Sequence, residues 1–312
     1  MTRIIALCLV AALGWAGWWG ISAWRLNDVT EDWLEHRRSD GWIAQYDNMT
    51  LRGFPSRLDR TFDGLALGTP DGPVWSFEKL GVYQMTYKPN HIILAVAGEI
   101  TTTQDTHTWT TDTDGLRASL VRNGGPLARA NLEADTLSII GPDTALTLTD
   151  IRAALMQLSP DRSRLSASIA QIVSGEEARA GRDLALDMTI AWDSALMGQV
   201  SDSLRRPDEI DIRLASYTLN NLKLEATGNM TLDPQGRPTG RLDIRAVNWR
   251  GAVASAVEAG QIPSELERPL TQGLTLWAKL QGNPQTLDIP VDFTNGQASI
   301  GPVPVGNILQ FW

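Results

Sequence analysis

The chain has 312 residues, of which 43% are hydrophobic, and a net charge of −9. This length and composition allow one large β domain or two ordinary domains with a substantial core, and they exclude a wholly disordered chain. The negative charge excludes nucleic acid as a partner, because phosphate binding needs a basic surface, and it argues against a soluble part that binds anionic lipid headgroups.

The first element is an uncharged stretch of 21 residues, 4–24. As a helix it would span roughly 30 Å, the thickness of the hydrocarbon core of a bilayer. The apolar region of a cleaved signal peptide is usually shorter, about 7–15 residues. The length and the tryptophans therefore favour an uncleaved signal anchor over a cleaved signal. The predicted anchor residues are Ile4, Ile5, Leu7, Leu9, Val10, Leu13, Trp15, Trp18, Trp19, Ile21 and Trp24.

The flanking charges predict the orientation and the domains. Arg3 precedes the anchor, so residues 1–3 are expected to be a cytoplasmic tail. Residues 25–41 are predicted to be a helical stalk that ends at Gly41, and residues 42–312 a periplasmic β-rich domain. The sequence thus predicts a single-pass protein of a bacterial inner membrane with most of the chain in the periplasm.

After Gly41 the period of the apolar residues changes to two. The segments 209–214, 222–232, 242–247 and 287–293 alternate in this way, and 209–214 is expected to place Ile210, Ile212 and Leu214 on one face. Such alternation predicts half-buried antiparallel strands. A further strand, 183–193, supplies the candidate apolar lining: Leu184, Leu186, Met188, Ile190 and Trp192.

Two further patterns complete the predicted fold. The segment 91–98 is apolar on both faces and is expected to be a central strand, and 248–260 and 262–270 are expected to be short helices. The predicted class is mainly β, a large curved or rolled antiparallel sheet with one or two short helices after an N-terminal transmembrane helix. The apolar strand faces must close on one another as a sandwich or leave an open trough for an apolar guest.

The stretch Gly53-Phe54-Pro55 predicts a corner between strands 42–51 and 57–67. Proline cannot donate to a ladder, and the residue before it is restricted to extended backbone. Gly53 permits the bend, and Phe54 is expected to insert under the sheet.

The sequence contains no pattern typical of a catalytic or metal site. Its three histidines, His36, His91 and His107, have no partners at metal-ligand spacing, and Cys8 is the single cysteine. We therefore expect no metal and no cofactor. An enzyme whose site is assembled from scattered Asp, Glu, Arg and Ser remains a third alternative.

The chain resembles the alphaproteobacterial domain-of-unknown-function family numbered 2125. The N-terminal anchor, the corner and two later stretches, "DPQGRPTG" and "TNGQASIGPVPVG", carry the resemblance, which implies no activity and no site residues. The ending also looks like the AsmA-like envelope proteins, which implies lipid handling between membranes. The family-like residues are Gly53, Phe54, Pro55, Gly236, Pro238, Asn295, Gly296, Gly301, Pro302, Pro304 and Gly306.

Two hypotheses for the function stand beside the enzyme alternative. The first is non-catalytic binding or handling of an apolar, lipid-like envelope component. The second is a structural or protein-interaction factor in assembly of the cell envelope. An open apolar groove would favour the first hypothesis, and an exposed strand edge would favour the second. The predicted partners are the inner membrane and either a lipid or another envelope protein, and nucleic acid is excluded.

Overall fold

The computed structural model describes residues 2–69, 71–125, 127–175, 179–192, 206–258 and 262–307. The predicted class, a mainly antiparallel β protein with a long apolar N-terminal helix and two shorter helices, is confirmed. The helices are α1 (Thr2–Ser39), α2 (Trp249–Glu258) and α3 (Ser264–Leu280). The strands are β1 (Ile43–Gln45), β2 (Asn48–Arg52), β3 (Arg57–Gly68), β4 (Val74–Met85), β5 (Lys88–Gln104), β6 (His107–Asp114), β7 (Arg117–Arg122), β8 (Leu127–Gly141), β9 (Thr144–Ser159), β10 (Arg162–Ser174), β11 (Arg179–Trp192), β12 (Pro207–Leu219), β13 (Leu222–Leu232), β14 (Pro238–Val247), β15 (Thr286–Thr294), β16 (Gln297–Ile300) and β17 (Val303–Asn307).

The chain divides into two compact units. The N-terminal unit comprises Met1–Gly124 and Ala128–Thr147, and the C-terminal unit comprises Gly125–Leu127 and Leu148–Trp312. In the N-terminal unit β3 pairs with β1, β2 and β4, and β4 pairs with β5. The long strand β5 then pairs with β6 near its end and with β7 near its start. Residues 91–95 lie between β4 and β7, as expected for a central strand, whereas Ile93 is 39% exposed and the segment is therefore not covered on both faces.

Helix α1 packs along the N-terminal unit through one of its faces. Ala23 and Leu34 are buried, and Leu34 is only 2% exposed. Thr30 lies on the same face and accepts a hydrogen bond from the guanidinium of Arg60, which is itself buried in β3. Tyr46 donates to the Glu31 carboxylate, and this bond raises the pKa of the Tyr46 phenol. The second half of α1 is therefore fixed to the sheet at several points along its length.

The C-terminal unit is a meander. Strands β10 to β17 each pair with the next strand along the chain, always antiparallel. Helices α2 and α3 are inserted between β14 and β15 and pack on the sheet beside them. Ala246, Trp249, Ala278 and Leu287 form the buried centre of this contact. This cluster is a hydrophobic core between the helices and the sheet.

Several sequence-based boundaries were wrong. The predicted strand 42–51 is two strands, β1 and β2. Helix α3 continues ten residues beyond the predicted end at residue 270, because Leu274 and Trp277 carry its apolar face onto the core cluster. Residues 259 and 260 of the predicted helix 248–260 lie outside the described residues.

Candidate functional site

The meander of the C-terminal unit has one apolar and one polar face. Side chains of successive residues alternate between the faces of a strand, and paired residues share a face. The register therefore aligns apolar residues in rows that cross β10 to β15. One such row consists of Ala167, Leu186, Ala215, Ala226, Ile244 and Ile289.

An open groove lies on this apolar face. Its volume is about 320 Å³, at the lower end of the range of roughly 300–1,000 Å³ that is common for ligand pockets. The polar residues at its border, Ser216 and Glu225, oppose each other in the ladder and belong by alternation to the other face. The side chains that line the groove are Leu184, Leu186, Ala215, Tyr217, Leu224, Ala226 and Ile244.

The groove follows from the sizes of these side chains. Ala215 and Ala226 form the middle of the row on neighbouring strands, whereas Leu186 and Ile244 stand on either side of them. Two methyl groups between two large aliphatic side chains leave a depression. All four residues are half-buried, so the depression is open to a ligand.

The rest of the apolar face is covered at both ends of the strands. Toward the helices, Leu224 and Ile289 pack against the core cluster. Toward the other end, Ile190, Ile210 and Met230 are paired in sequence across β11 to β13 and are buried. The groove thus lies between two buried parts of the apolar face.

Charged pairs occupy the opposite face. Arg164 binds both carboxylate oxygens of Asp187, at 2.8 and 2.7 Å, and Arg213 donates to one of them at 2.8 Å. These hydrogen bonds hold the pKa of Asp187 far below its ordinary value of 3.8. Arg245 and Asp288 form a similar pair, with a contact of 2.7 Å. Both carboxylates accept hydrogen bonds from arginine side chains, an arrangement that stabilises a sheet surface. The lowered pKa of Asp187 is the opposite of what a general acid needs.

The five predicted lining residues do not all reach the groove. Leu184 and Leu186 line it. Met188 is half-buried in the next row, opposite Leu165. Ile190 belongs to the core, and the Trp192 indole donates to Ser163 at 3.2 Å. The alternation identified the correct face and did not locate the groove on it.

Sequence reasoning placed Ala226 on the apolar face, but it missed Ala215 and misplaced one leucine. Leu214 was expected beside Ile212 on the apolar face, but a bulge between Ile212 and Ala215 shifts the register. Leu214 therefore pairs with Asp187 and is exposed on the polar face, and Ala215 takes its place in the row. The alternation of 209–214 contains no signal of this bulge.

Two family-like stretches that are distant in sequence meet in the C-terminal unit. The amide of Gly296 donates to the Pro238 carbonyl at 2.9 Å, and the amide of Asn295 donates to Thr239 at 3.1 Å. Asn295 and Gly296 both have positive φ and form the hairpin turn between β15 and β16. Gly236 lies in the turn between β13 and β14. The others, Gly301, Pro302, Pro304 and Gly306, lie in or next to β17 and are exposed.

The Gly53-Phe54-Pro55 corner lies in the N-terminal unit, between β2 and β3. Gly53 has a φ of 109°, and a Cβ there would come within 2.8 Å of the Arg57 carbonyl oxygen, so the bend requires glycine. The expected insertion of Phe54 under the sheet was wrong. Phe54 is 59% exposed and packs edge-on against Trp19 of α1, with ring centroids 5.6 Å apart.

The apolar N-terminal segment forms the first part of α1, and it is long and apolar enough to cross a membrane. The side chains of Ile4, Ile5, Leu7, Leu9, Val10 and Leu13 are exposed, as are those of Trp15, Trp18, Ile21 and Trp24. Trp19 is half-buried. Exposed apolar side chains over this length are typical of a segment that lies in lipid.

Among the described residues, no three or more His, Cys, Asp and Glu side chains are grouped so that they could hold a metal ion. His91 hydrogen-bonds the Ser119 hydroxyl at 2.8 Å, and His107 stacks on Trp109. Both histidines therefore have structural contacts on the sheet. The expectation that the protein needs no metal or cofactor stays a prediction.

Comparison with known proteins gives one match. No curated protein and no solved structure is similar to the chain. A family model described as "Uncharacterized protein conserved in bacteria (DUF2125)" matches residues 19–308. This match includes the corner, both units and the groove, so the resemblance noted from the sequence is confirmed: the chain belongs to the DUF2125 family of bacterial proteins.

Proposed function

We propose that the protein is a single-pass protein of the bacterial inner membrane that binds an apolar, lipid-like envelope component in the periplasm without catalysis. The open groove on the apolar face of the C-terminal unit carries the proposal. Its occupant is the acyl chain of a lipid. Aliphatic side chains and one tyrosine form the lining, which suits a ligand that needs few hydrogen bonds.

The size of the groove and the N-terminal helix support this choice of ligand. Each methylene transferred from water to an apolar site contributes about 0.8 kcal/mol, so part of one acyl chain is sufficient for measurable binding. The apolar segment of α1 would keep the groove in the same compartment as the membrane that supplies the lipid. Arg3 before that segment favours an N-terminus in the cytoplasm.

The test is to fill the groove with a larger side chain and to compare the amount of bound lipid between the wild type and two variants. Ala226→Trp adds a large side chain to the middle of the groove, and Thr227→Trp adds the same side chain to the opposite, exposed face of the same strand. The full chain and both variants are purified from membranes in mild detergent, and the lipid bound per protein is measured by mass spectrometry. Lipid that surrounds the membrane helix is common to all three samples and cancels in the comparison.

We expect the wild type and Thr227→Trp to retain the same lipid and Ala226→Trp to lose most of it. Circular dichroism and thermal unfolding establish that both variants are folded. Equal lipid in all three proteins, or none in the wild type above the background of the helix, would contradict the proposal.

A second candidate function is binding of another envelope protein along a strand edge. Val303 and Val305 are exposed on β17, the last described strand of the meander. An exposed apolar strand near a sheet edge favours addition of a strand from a partner. Crosslinking from a photoreactive residue at position 305 would capture a partner in this case, whereas Ala226→Trp would leave the capture unchanged.

A further inference from the structure

The Gly53-Phe54-Pro55 corner is attached to the apolar part of α1 by two tryptophans. The indole N–H of Trp15 donates to the Pro55 carbonyl at 2.7 Å, and that of Trp19 donates to the Arg57 carbonyl at 2.8 Å. The Trp19 ring also contacts Phe54. Both tryptophans belong to the segment that is apolar enough to cross a membrane, so the corner lies beside that segment and not beyond its end.

The backbone of the corner is hydrogen-bonded within the protein although it lies outside the ladder. The amide of Arg57 donates to the Gly53 carbonyl at 2.8 Å, and Thr86 donates to the Ser56 carbonyl through its amide, at 3.0 Å, and through its hydroxyl. With the two indole donors, the carbonyls of residues 53, 55, 56 and 57 all have protein partners. A turn exposed to water has no need of such partners, whereas backbone groups in contact with lipid must have them.

The β4–β5 turn lies beside the corner, and it too has exposed apolar and basic side chains. The hydrogen bonds from Thr86 join the two turns, and the neighbouring Met85 and Tyr87 are exposed, with Tyr87 at 59%. The two turns, residues 52–57 and 85–90, contain Arg52, Arg57 and Lys88 and no acidic residue, in a chain whose net charge is −9. Exposed aromatic rings next to basic side chains are typical of the boundary between lipid and water.

Distances along α1 give the depth of the turns. Trp15 and Trp24 are nine residues apart, or about 13 Å along a helix. If the membrane segment ended at Trp24, the Pro55 carbonyl would therefore lie near the middle of a hydrocarbon core about 30 Å thick. Exposed Arg52, Arg57 and Lys88 close to it make that depth too costly.

We infer that the corner and the β4–β5 turn lie in the interface between bilayer and water, at the level of Trp15 and Trp19. The membrane-spanning part of α1 then ends near Trp18 and not at Trp24. Residues 4–18, which follow the proposed cytoplasmic tail, are about 22 Å long as a helix, and a bilayer accommodates so short a span by local thinning. Phe54 and Tyr87 join Trp18 and Trp19 in one aromatic belt. Arg52 and Lys88 contact the lipid phosphates, whereas Arg57 is paired with Asp59 at 2.9 Å.

This inference rests on the membrane anchor of the proposed function, and the experiment separates the two. Cys8 is replaced by Ser, because it is the single cysteine of the chain. New single cysteines are introduced into the full chain at exposed positions: Phe54→Cys and Tyr87→Cys in the turns, Leu13→Cys in the helix and Trp75→Cys in β4 as the control. Each protein is labelled with an environment-sensitive fluorophore and reconstituted into vesicles of phosphatidylethanolamine and phosphatidylglycerol.

A phospholipid that is spin-labelled near the headgroup end of its acyl chain serves as the quencher. We expect severalfold quenching and a blue-shifted emission at positions 54 and 87, quenching at position 13, and neither effect at position 75. Quenching at position 13 without quenching at positions 54 and 87 would overturn the inference and leave the anchor intact. No quenching at position 13 would overturn the anchor and the inference together.

Discussion

At the scale of single residues, Asp187 shows how the polar face of the C-terminal unit is stabilised. Its carboxylate joins Arg164 of β10 to Arg213 of β12 and so connects three strands. The pKa of Asp187 is lower in the folded state than in the unfolded state, so ionisation of this carboxyl group stabilises the fold. The stabilisation is therefore complete above the ordinary pKa and is lost as the pH falls toward the lowered one.

Replacing this carboxylate gives a prediction for stability. Asp187→Asn is expected to lower the free energy of unfolding at neutral pH by about 1 kcal/mol, the upper end for partly exposed pairs. The difference from the wild type should shrink as the pH falls below about 4, the ordinary range of an aspartate pKa. Urea unfolding of the full chain over a pH series measures this difference in the free energy of unfolding. Asp243→Asn on the same face removes a pair with one arginine, Arg241, and should cost less. A difference that grows at low pH would contradict this account.

At the scale of elements, the contact of α2 and α3 with the sheet is the core of the C-terminal unit. Leu287 of β15 is 4% exposed in this cluster, whereas Leu276 on α3 is 62% exposed. The two residues allow one substitution to be compared in two environments. The comparison separates the packing of the helices on the sheet from the helical conformation itself.

Leu287→Ala is expected to lower the free energy of unfolding by about 2–4 kcal/mol, because it leaves a cavity against Trp249 and Ala278. Leu276→Ala should change it by no more than about 0.5 kcal/mol. Denaturant unfolding followed by tryptophan fluorescence and by circular dichroism gives both values. Similar losses for the two variants would mean that α3 does not use the face described here.

The same scale shows what the sequence could predict. Apolar alternation identified the strands and the face of residues such as Leu184 and Leu186, because successive side chains of a strand lie on opposite faces of the sheet. It could not locate the bulge at Ile212–Ala215, which depends on the fit of neighbouring strands. The position of the groove on this face could not be predicted for a related reason. Alanine is a weak signal in a sequence, and Ala215 and Ala226 make a depression only when the ladder places them side by side.

At the scale of the whole molecule, charge and hydropathy are unevenly distributed. Residues 1–25 carry Arg3 and Arg25 and no acidic residue, so residues 26–312 carry −11, the total of −9 less these two positive charges. The expectation that an acidic chain avoids lipid headgroups applies to the net charge of the chain and not to the local charge of the basic turns beside α1. Arg3 before a helix that is apolar enough to cross a membrane supports the proposed export of the remainder from the cytoplasm.

Membrane attachment is therefore expected to survive carbonate washing of bacterial membranes, with the chain in the pellet. Protease added from the periplasmic side should digest residues 42–312, and protease added from the cytoplasmic side of inverted vesicles should not. A cytoplasmic protein of known location controls for leakage. Recovery of a soluble chain that begins near Trp24 would instead identify a cleaved signal peptide.

The strand order of the C-terminal unit has a consequence for how the chain folds. From β10 to β17 every strand pairs with its neighbour in the sequence. Within the described part of the chain, the helices α2 and α3 are inserted between β14 and β15. The hairpins β12–β13, β13–β14, β15–β16 and β16–β17 close short loops, so the entropy lost before these contacts is small. A chain that crosses the membrane from its N-terminus onward can add each hairpin as it emerges, without waiting for distant segments. If this unit is exported as proposed, its export and its folding proceed in the same direction along the chain.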